Sequence, residues 1–276
     1  MRQVAKIAVI GLTGNTVFMG VPHFHRGGET VHAEDFHSEL GGKGFNQAVA
    51  AARQGAKVSF LTAVGEDDEA KVRDVLASEG IAGTVMGKSV PSAHATILTD
   101  GTGETRVTVF PGARLDIGDL ERFEDAIVSA DILLLNNEVP EPVNIRASEI
   151  AVASGVRIIM NPAPVRSLPE IIKRQIGVFT PNEFETAGLE DAPGEVVTTL
   201  GAKGCRIRST GEIVPAVGCG PAIDTTGAGD TFNGVLAVYL AEGAALADAC
   251  RAANAAAAKS VTVRYVLPSI PRRTVF

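Results

Sequence analysis

Hydrophobic positions along the chain follow two different spacings. Short apolar, β-branched runs are typical of buried strands, and they occur at residues 4–10, 58–63, 132–135, 157–160, 177–180 and 196–200. Elsewhere apolar residues recur every three or four positions, which predicts helices around residues 45–52, 72–76, 120–127, 143–151, 232–240 and 246–257. Strands that alternate with helices predict an α/β fold with a central, mainly parallel sheet and helices on both faces. Sites in such sheets lie at the carboxyl ends of the strands.

Two stretches do not follow this alternation. Residues 14–40 are polar and alternating, and residues 93–110 contain two alternating segments joined by the glycine-rich turn 100–104. A turn of this composition between alternating segments predicts a β-hairpin. We expect the two stretches to form a small β-sheet lid over one edge of the main sheet, within a single domain that spans residues 1–276.

Charge and cysteine usage exclude several classes of partner. The net charge is −7, the isoelectric point is about 5.3 and the basic residues are scattered, so nucleic acid is not expected. No uncharged apolar run is long enough to span a bilayer, so no membrane partner is expected either. The three cysteines lack metal or disulfide spacing, which indicates reduced thiols and a cytoplasmic location.

The most informative segment is Asp224–Gly234, with the sequence DTTGAGDTFNG. It is rich in glycine, it opens a predicted helix, and it places the carboxylate of Asp230 in the first helical turn. Helix N-termini bind anions through free N–H groups and a partial positive charge. A carboxylate beside such a site can serve as a general base, which is the combination that phosphate transfer to a hydroxyl requires. The structural alternative is an acidic residue that only stabilises the helix.

A second glycine motif precedes the helix around residues 45–52. Its sequence is GGKGFNQAVA over residues 41–50, and Lys43 and Asn46 offer hydrogen-bond donors to hydroxyls or phosphate. The motif does not have the spacing of a P-loop. By itself, a glycine-rich helix start is more often a plain turn than a site.

The two glycine motifs, in this order and separation, resemble the signatures of the ribokinase-like (PfkB) sugar kinase family. Residues 161–164 (NPAP), 180–185 (TPNEFE) and 199–204 (TLGAKG) lie between the signatures in the family's order, so the resemblance covers nearly the whole chain. Within that family, the sequences of these motifs are most similar to those of the ribokinase group. The resemblance implies the family's α/β fold with a β-sheet lid, and ATP with Mg²⁺ as cofactors.

The resemblance also implies roles for individual residues. Asp230 corresponds to the general base, and the N–H groups of Gly227, Ala228 and Gly229 correspond to the anion hole. The positions that match ATP-binding residues are Asn182, Thr199, Gly201, Gly204 and Asn254, and Glu185 matches a residue that holds Mg²⁺ through water. The positions that match sugar-binding residues are Gly42, Lys43, Asn46 and Glu138. Those that match a loop for a monovalent cation such as K⁺ are Asp224, Thr226 and Ser269.

The chain departs from the family pattern at three places. Thr16, with Asn15 beside it, occupies the position of an aspartate that binds two sugar hydroxyls, and a hydroxyl is a weaker acceptor than a carboxylate. Residues 186–196 are too few for the helix that relatives carry there. Tyr265 replaces a usual glycine near the cation loop, which puts the K⁺ requirement in question.

These observations predict an ATP-dependent kinase that phosphorylates a hydroxyl of a small sugar. Two alternatives stay open. A nucleoside kinase of the same fold would keep the phosphate-handling residues and change the acceptor pocket. Thr16, in place of the usual aspartate, keeps this alternative open. A sugar- or nucleotide-binding protein without turnover is the other. Because lid edges pair between subunits in this family, a homodimer is also expected.

Overall fold

The fold is described from a computed structural model, which covers residues 4–273. In chain order, the strands of the described residues are β1 (Lys6–Ile10), β2 (Gly14–Gly20), β3 (Asp35–Gly41), β4 (Lys57–Gly65), β5 (Ala82–Lys88), β6 (Ala93–Thr99), β7 (Thr105–Phe110), β8 (Ile132–Asn136), β9 (Arg157–Asn161), β10 (Val178–Phe179), β11 (Glu195–Thr199), β12 (Cys205–Ile207) and β13 (Ile213–Val214).

The helices lie mostly between these strands. The α-helices of the described residues are α1 (Lys43–Arg53), α2 (Glu69–Ser78), α3 (Glu124–Val128), α4 (Glu141–Ala153), α5 (Glu170–Gln175), α6 (Ala228–Ala241), α7 (Leu246–Ser260) and α8 (Val266–Ser269). Short 3₁₀ helices occur at Glu66–Asp68, Ile117–Arg122 and Gly201–Lys203. Within the described residues, no helix is long and apolar enough to cross a membrane.

Nine strands of the described residues form the main sheet, in the order β13-β12-β11-β10-β9-β8-β1-β4-β5. The pairs from β11 to β5 are parallel, while β12 and β13 are antiparallel additions at one edge. In the centre, Ile7 of β1 pairs with Val58 on one side and with Ile132 on the other. The predicted α/β class with a mainly parallel sheet is therefore confirmed.

Alternate residues of the central strands supply two separate apolar cores. Ile7 and Val9 belong to the core under α1, α6 and α7, whereas Ala8 and Ile10 belong to the core under α3, α4 and α5. Strands that are buried on both faces need continuous apolar sequence, which is why the short runs found in the sequence become these strands.

A second sheet of four strands, in the order β3-β2-β6-β7, forms the predicted small lid. Strand β2 pairs antiparallel with β3 and parallel with β6, and β7 pairs antiparallel with β6 at the end of the sheet. Thr16, Phe18, His37 and Glu39 share the face that turns toward the main sheet's loops, because Thr16 pairs with Glu39 and Phe18 with His37.

The stretch 186–196, which the sequence suggested is too short for a helix, contains turns and the start of β11 and no helix among the described residues. Arg208 holds this segment in place. Its guanidinium donates hydrogen bonds to the carbonyl oxygens of Leu189 (3.0 Å) and Ala192 (2.7 Å), and also to that of Gly194. One arginine thus satisfies carbonyl groups that no regular element pairs.

Candidate active site

The two glycine motifs meet at the carboxyl ends of β1, β8 and β9. The start of α1 lies against the end of β1, and a Cβ on Gly11 would come within 2.3 Å of the Cα of Gly44. Helix α6 packs equally closely on α1, because a Cβ on Gly234 would lie 2.5 Å from the carbonyl oxygen of Gln47. These backbone contacts bring the polar residues of the first turns of α1 and α6 together.

Asp230 lies in this junction, in the first turn of α6, with 6% of its surface exposed. Asn46 Nδ2 donates to its Oδ2 at 2.9 Å, and Gln47 Nε2 donates to its Oδ1 at 3.1 Å. Both carboxylate oxygens are therefore fixed in direction by buried amides. Each oxygen keeps a further lone pair with which it can accept a proton from a substrate.

Gly227 sets the start of α6. It has φ 76°, a left-handed conformation that favours glycine, and a Cβ there would lie 2.4 Å from Cγ1 of Val266. The N–H of Thr231 donates to the Gly227 carbonyl (2.9 Å), so the preceding N–H groups belong to the turn that a helix leaves without internal partners. The N–H of Ala228 makes a long bond of 3.3 Å to Thr225. The predicted anion hole therefore stands beside the predicted base.

Lys43 and Glu138 face each other across the same junction. The backbone N–H of Lys43 donates to Glu138 Oε2 at 2.7 Å, and the Glu138 N–H donates to Asn136 Oδ1 at 3.0 Å. The Asp230 carboxylate raises the pKa of the Lys43 ammonium, with a smaller contribution from Glu138. Burial raises the pKa of Glu138 to about 7, Lys43 opposes the rise and Asp230 adds to it. The base, an ammonium and a second carboxyl thus form one charged cluster.

Thr16 and Asn15 point in opposite directions because they are neighbours in strand β2. Thr16 lies against Gly41, where a Cβ would meet its Oγ1 at 2.4 Å, on the side of the glycine motif. Asn15 instead donates to Asp68 Oδ2 (3.0 Å) and accepts from Lys71 Nζ (2.8 Å) near the start of α2. The structure does not bring Asn15 together with Asp230, so its predicted sugar contact has no support in these contacts.

A cleft of about 630 Å³ opens on the other side of α6. The residues predicted to bind ATP that line it are Thr199, Gly201, Gly204 and Asn254, together with Ala228 and Gly229 of the predicted anion hole. Asn254 Nδ2 donates to the carbonyl oxygens of Val214 (2.9 Å) and Pro215 (3.3 Å), which fixes the direction of this amide. Small and apolar side chains form most of the remaining wall.

Asn182 and Glu185 lie next to this cleft. Asn182 forms a parallel bridge with Thr199, so β10 and β11 bring the two predicted ATP positions side by side. The Glu185 carboxylate accepts from the Asn182 backbone N–H and from Asn182 Nδ2, both at 2.9 Å. The pair forms a closed polar turn, and each Glu185 oxygen retains a lone pair for water.

The predicted cation loop is held by hydrogen bonds within the protein. Asp224 accepts from the N–H of Thr226 through Oδ1 and from the N–H of Tyr265 through Oδ2, both at 2.9 Å. The Ser269 hydroxyl donates to the Val266 carbonyl at 2.8 Å. Tyr265 has φ 67°, a left-handed conformation that favours glycine.

Tyr265 also joins this loop to the lid. Its hydroxyl donates to Asp35 Oδ2 at 2.8 Å, and its ring stacks on His37 with 3.9 Å between centroids. Glu39 of the lid accepts from the N–H of Val266 at 2.9 Å. Strand β3 is therefore fastened directly to the segment that packs on Gly227.

Several polar residues of the site were not identified from sequence. Gln47 contacts the base directly, and its position next to Asn46 in an otherwise apolar helix is a signal that could have found it. Asn161, Thr180 and Asn233 are buried nearby, and their contact depends on the fold that joins three distant segments.

Comparisons with known proteins identify the family of the whole chain. Residues 4–273 match the model of the pfkB family carbohydrate kinases. The ribokinase of Haemophilus influenzae is 35% identical over 292 residues, which cover 97% of this chain and 95% of that protein. The ribokinase structure from Thermotoga maritima has a TM-score of 0.86 at 32% identity and covers 98% of this chain and 97% of its own.

A structure of Arabidopsis thaliana ribokinase complexed with ribose and ATP is similar over 98% of this chain and 96% of its own, with a TM-score of 0.85 and 25% identity. The family model spans both glycine motifs and all described residues. The chain therefore belongs to the pfkB family of carbohydrate kinases, which are phosphotransferases with an alcohol group as acceptor.

Proposed function

We propose that this protein transfers the γ-phosphate of ATP to a hydroxyl of a small sugar. The observation that carries the proposal is the position of Asp230, whose two oxygens are fixed by Asn46 and Gln47 beside the start of α6. The nucleotide cleft lies on one side of that helix start and the Lys43–Glu138 cluster on the other. Relatives named ribokinase, one of them solved with ribose and ATP, support the choice of substrates.

In the proposed reaction, Asp230 takes the proton from the acceptor hydroxyl while that oxygen bonds to the γ-phosphorus. The bond between the γ-phosphorus and the β,γ-bridging oxygen breaks, and ADP leaves. The N–H groups of Gly227, Ala228 and Gly229 stabilise negative charge on the transferring group. Lys43, Asn46 and Glu138 would orient the acceptor, with Gly42 and Thr16 at its edge.

Glu185 and Asn182 fit a water-mediated Mg²⁺ site. Mg²⁺ keeps several waters and needs few protein carboxylates, and the Glu185 oxygens retain lone pairs for such waters. When bound, the ion would neutralise charge on the phosphates of ATP. Glu185 would hold it in position beside the cleft.

The residues predicted for K⁺ retain the lone pairs that such an ion needs. Each oxygen of Asp224 accepts one backbone N–H group and keeps a further lone pair, and the Ser269 hydroxyl donates its proton to a carbonyl, which leaves its oxygen lone pairs as possible ligands. The Tyr265 N–H supplies one of these bonds, so part of the order of the loop comes from the protein itself. We therefore propose that K⁺ binds at this loop and supports turnover.

The proposal takes residues 1–276 as one kinase unit, with residues 14–40 and 93–110 as a lid that excludes water from the reaction. Three free cysteines are in keeping with a reducing compartment, so we place the protein in the cytoplasm.

The test of the proposed function is ADP release from Mg-ATP with a panel of pentoses, hexoses and nucleosides. We expect a rate that depends on a sugar and that falls when K⁺ is replaced by choline. A rate that depends on nucleosides alone would assign the protein to the nucleoside kinases of this fold. Bound ATP with no acceptor-dependent rate over the whole panel would contradict the proposal and favour a binding protein.

The raised pKa of Glu138 makes the stability of the protein depend on pH. The folded state holds this proton up to about pH 7, while the unfolded chain, with the ordinary value of 4.5, loses it earlier. Stability therefore falls as the pH rises between these values, by up to about 3 kcal/mol. Glu138→Gln removes this contribution, so we expect the variant to gain stability relative to the parent at pH 8 but not at pH 5. Urea unfolding at both pH values measures the difference.

Glu149→Gln is the matched control, because Glu149 is an exposed helix residue in a surface ion pair with Arg146. It should change stability little at either pH. An equal effect of Glu138→Gln at pH 5 and pH 8 would contradict the assignment of a buried proton to Glu138.

Strand β7 supports the expected homodimer. Within residues 4–273 it pairs with β6 on one side only, its six residues are exposed, and Val107 and Val109 on one face are 57% and 59% exposed. Unprotected apolar edge strands are sites of pairing between chains. We propose that two lids associate through β7.

The double substitution Val107→Lys with Val109→Lys should weaken the dimer at least about 10-fold, because lysine side chains on an edge strand oppose pairing with another chain. Sedimentation velocity at several concentrations measures this.

Val152→Lys is the control for a general effect of added charge, because Val152 is 50% exposed on α4, away from the lid. It should leave the association unchanged. A parent protein that is monomeric at all concentrations would contradict the lid-to-lid dimer.

A further inference from the structure

A chain of buried polar side chains runs from Asp230 back to the loop that forms the anion hole. Gln47 Nε2 donates both to Asp230 Oδ1 (3.1 Å) and to Asn161 Oδ1 (3.3 Å). Asn161 Nδ2 donates to the Thr180 carbonyl (3.0 Å). The hydroxyl of Thr180 donates to Asn233 Oδ1 (2.5 Å).

The chain closes on the anion hole, because Asn233 Nδ2 donates to the carbonyl of Gly229 at 2.8 Å. The path therefore begins at the carboxylate of Asp230 and ends at the carbonyl of Gly229, the residue that precedes Asp230 in sequence. It passes through the second turn of α1, the end of β9, the segment after β10 and helix α6. We infer that Gln47, Asn161, Thr180 and Asn233 are positioning residues that hold the base and the anion hole in one fixed relation. This inference rests on the proposed function.

Burial and polarity agree with this role. Gln47 is completely buried, Thr180 and Asn233 are each 1% exposed and Asn161 is 6% exposed. The two protons of the Gln47 amide go to two different acceptors, so both of its contacts form at the same time. In low-dielectric surroundings such linked hydrogen bonds reinforce one another, and their members are costly to remove singly.

Gln47 is retained at a cost to stability. Its Oε1 is buried and has no hydrogen-bond partner among residues 4–273. An apolar side chain of similar shape would avoid that penalty, so the contact of its Nε2 with Asp230 is a better reason for glutamine here than packing is.

The path also reaches the nucleotide side. Thr180 is followed by Pro181 and Asn182, and the Pro181 carbonyl accepts from the N–H of Thr199 at 2.8 Å. Residues that line the nucleotide cleft are thus joined through Thr180 to the residue that holds the base. The relative placement of phosphate donor and base is set by this path.

The experiment compares Gln47→Met and Thr180→Val, which remove the polar groups with little change of shape, alone and combined. For each single variant we expect kcat to fall about 10–10²-fold, because a displacement of about 1 Å at the reacting atoms has effects of this size. The KM for ATP should stay within about twofold, since the cleft itself is untouched. The double variant should fall little further than the worse single variant, because residues that act as a unit are not additive.

Gln54→Met is the matched control. Gln54 is a buried glutamine that follows the same helix α1, 6% exposed, and its Nε2 donates to the Pro271 carbonyl at 3.1 Å, outside the path. It should lower the melting temperature without changing kcat. If Gln47→Met does not fold, Thr180→Val against Gln54→Met carries the comparison.

The outcomes separate the inference from the proposed function. Acceptor-dependent turnover in the parent, with every variant of Gln47 and Thr180 that folds reduced in kcat alone, supports the inference. Turnover in the parent with an unchanged kcat in a folded variant of either residue overturns the inference and leaves the kinase intact. Independent, multiplicative losses in the double variant also overturn it. No turnover in the parent overturns the proposed function and the inference with it.

Discussion

Asp230→Asn should lower kcat by about 10²–10⁴-fold, the usual contribution of a general base. The amide has nearly the shape of the carboxylate but accepts no proton from the acceptor hydroxyl. Asn46 and Gln47 donate to both oxygens of Asp230, so one of these donors would face the new NH₂ group and the site would lose a hydrogen bond as well. Binding of ATP, measured by calorimetry, should change much less because the nucleotide cleft lies on the far side of α6.

The alternative for Asp230 is a residue that only stabilises the start of α6. Asp248→Asn tests that alternative directly, because Asp248 stands in the first turn of α7 and pairs with Arg251 on the surface. Loss of a negative charge at a helix start costs about 0.3–1 kcal/mol in both variants. Only Asp230→Asn should lose turnover. Similar kinetics for the two variants would contradict the assignment of the base.

Much of the fold could be predicted from sequence because apolar spacing and parallel strands reinforce each other. Strand β5 (Ala82–Lys88) is an exception, since two glycines interrupt its apolar pattern. The reason for one of them is packing: a Cβ on Gly83 would come within 2.6 Å of Leu76 on α2. Close packing against α2 thus favours glycine at position 83, and that glycine weakens the apolar pattern from which a strand is predicted.

The segment around 117–128 differs from the single helix that its spacing predicts. It divides into the 3₁₀ helix Ile117–Arg122 and the short α3, and Asp116 and Asp119 cap the first piece reciprocally. The same apolar residues, Leu120, Phe123 and Ile127, are buried in either case. Apolar spacing therefore predicted the buried face but not the kind of helix.

The candidate site, like the fold, could be predicted only in part. Ordered motifs are enough to propose a base, an anion hole and a nucleotide cleft, because each motif is continuous in sequence. Asn15 and Thr16 show a limit, since the alternation of a strand directs only one of them to a given face. The path from Gln47 to Asn233 shows another limit. Its members come from four separate segments, so only the packed structure shows that they touch.

Gly227→Ala should reduce both stability and turnover, and kcat should fall about 10²-fold because the anion hole moves with the helix start. Two effects act together at this position. The residue has φ 76°, where a side chain costs about 1–2 kcal/mol, and the new Cβ would lie 2.4 Å from Val266 Cγ1. Since Glu39 and Ser269 hold the short helix that carries Val266, we expect the loop of Gly227 to shift and not Val266.

Gly243→Ala is the control that separates the effect of backbone strain from the effect of a displaced helix start. Gly243 follows the other end of α6 with φ 84°, and a Cβ there has nothing within 4 Å. It should cost about 1–2 kcal/mol in stability, as at Gly227, with no change in kcat. Adding Val266→Ala to Gly227→Ala should make room for the methyl group and recover part of the lost kcat. A Gly227→Ala protein with full turnover would show that the N–H groups at this helix start do not stabilise the transferring phosphate, and no recovery in the double variant would place the loss in backbone strain alone.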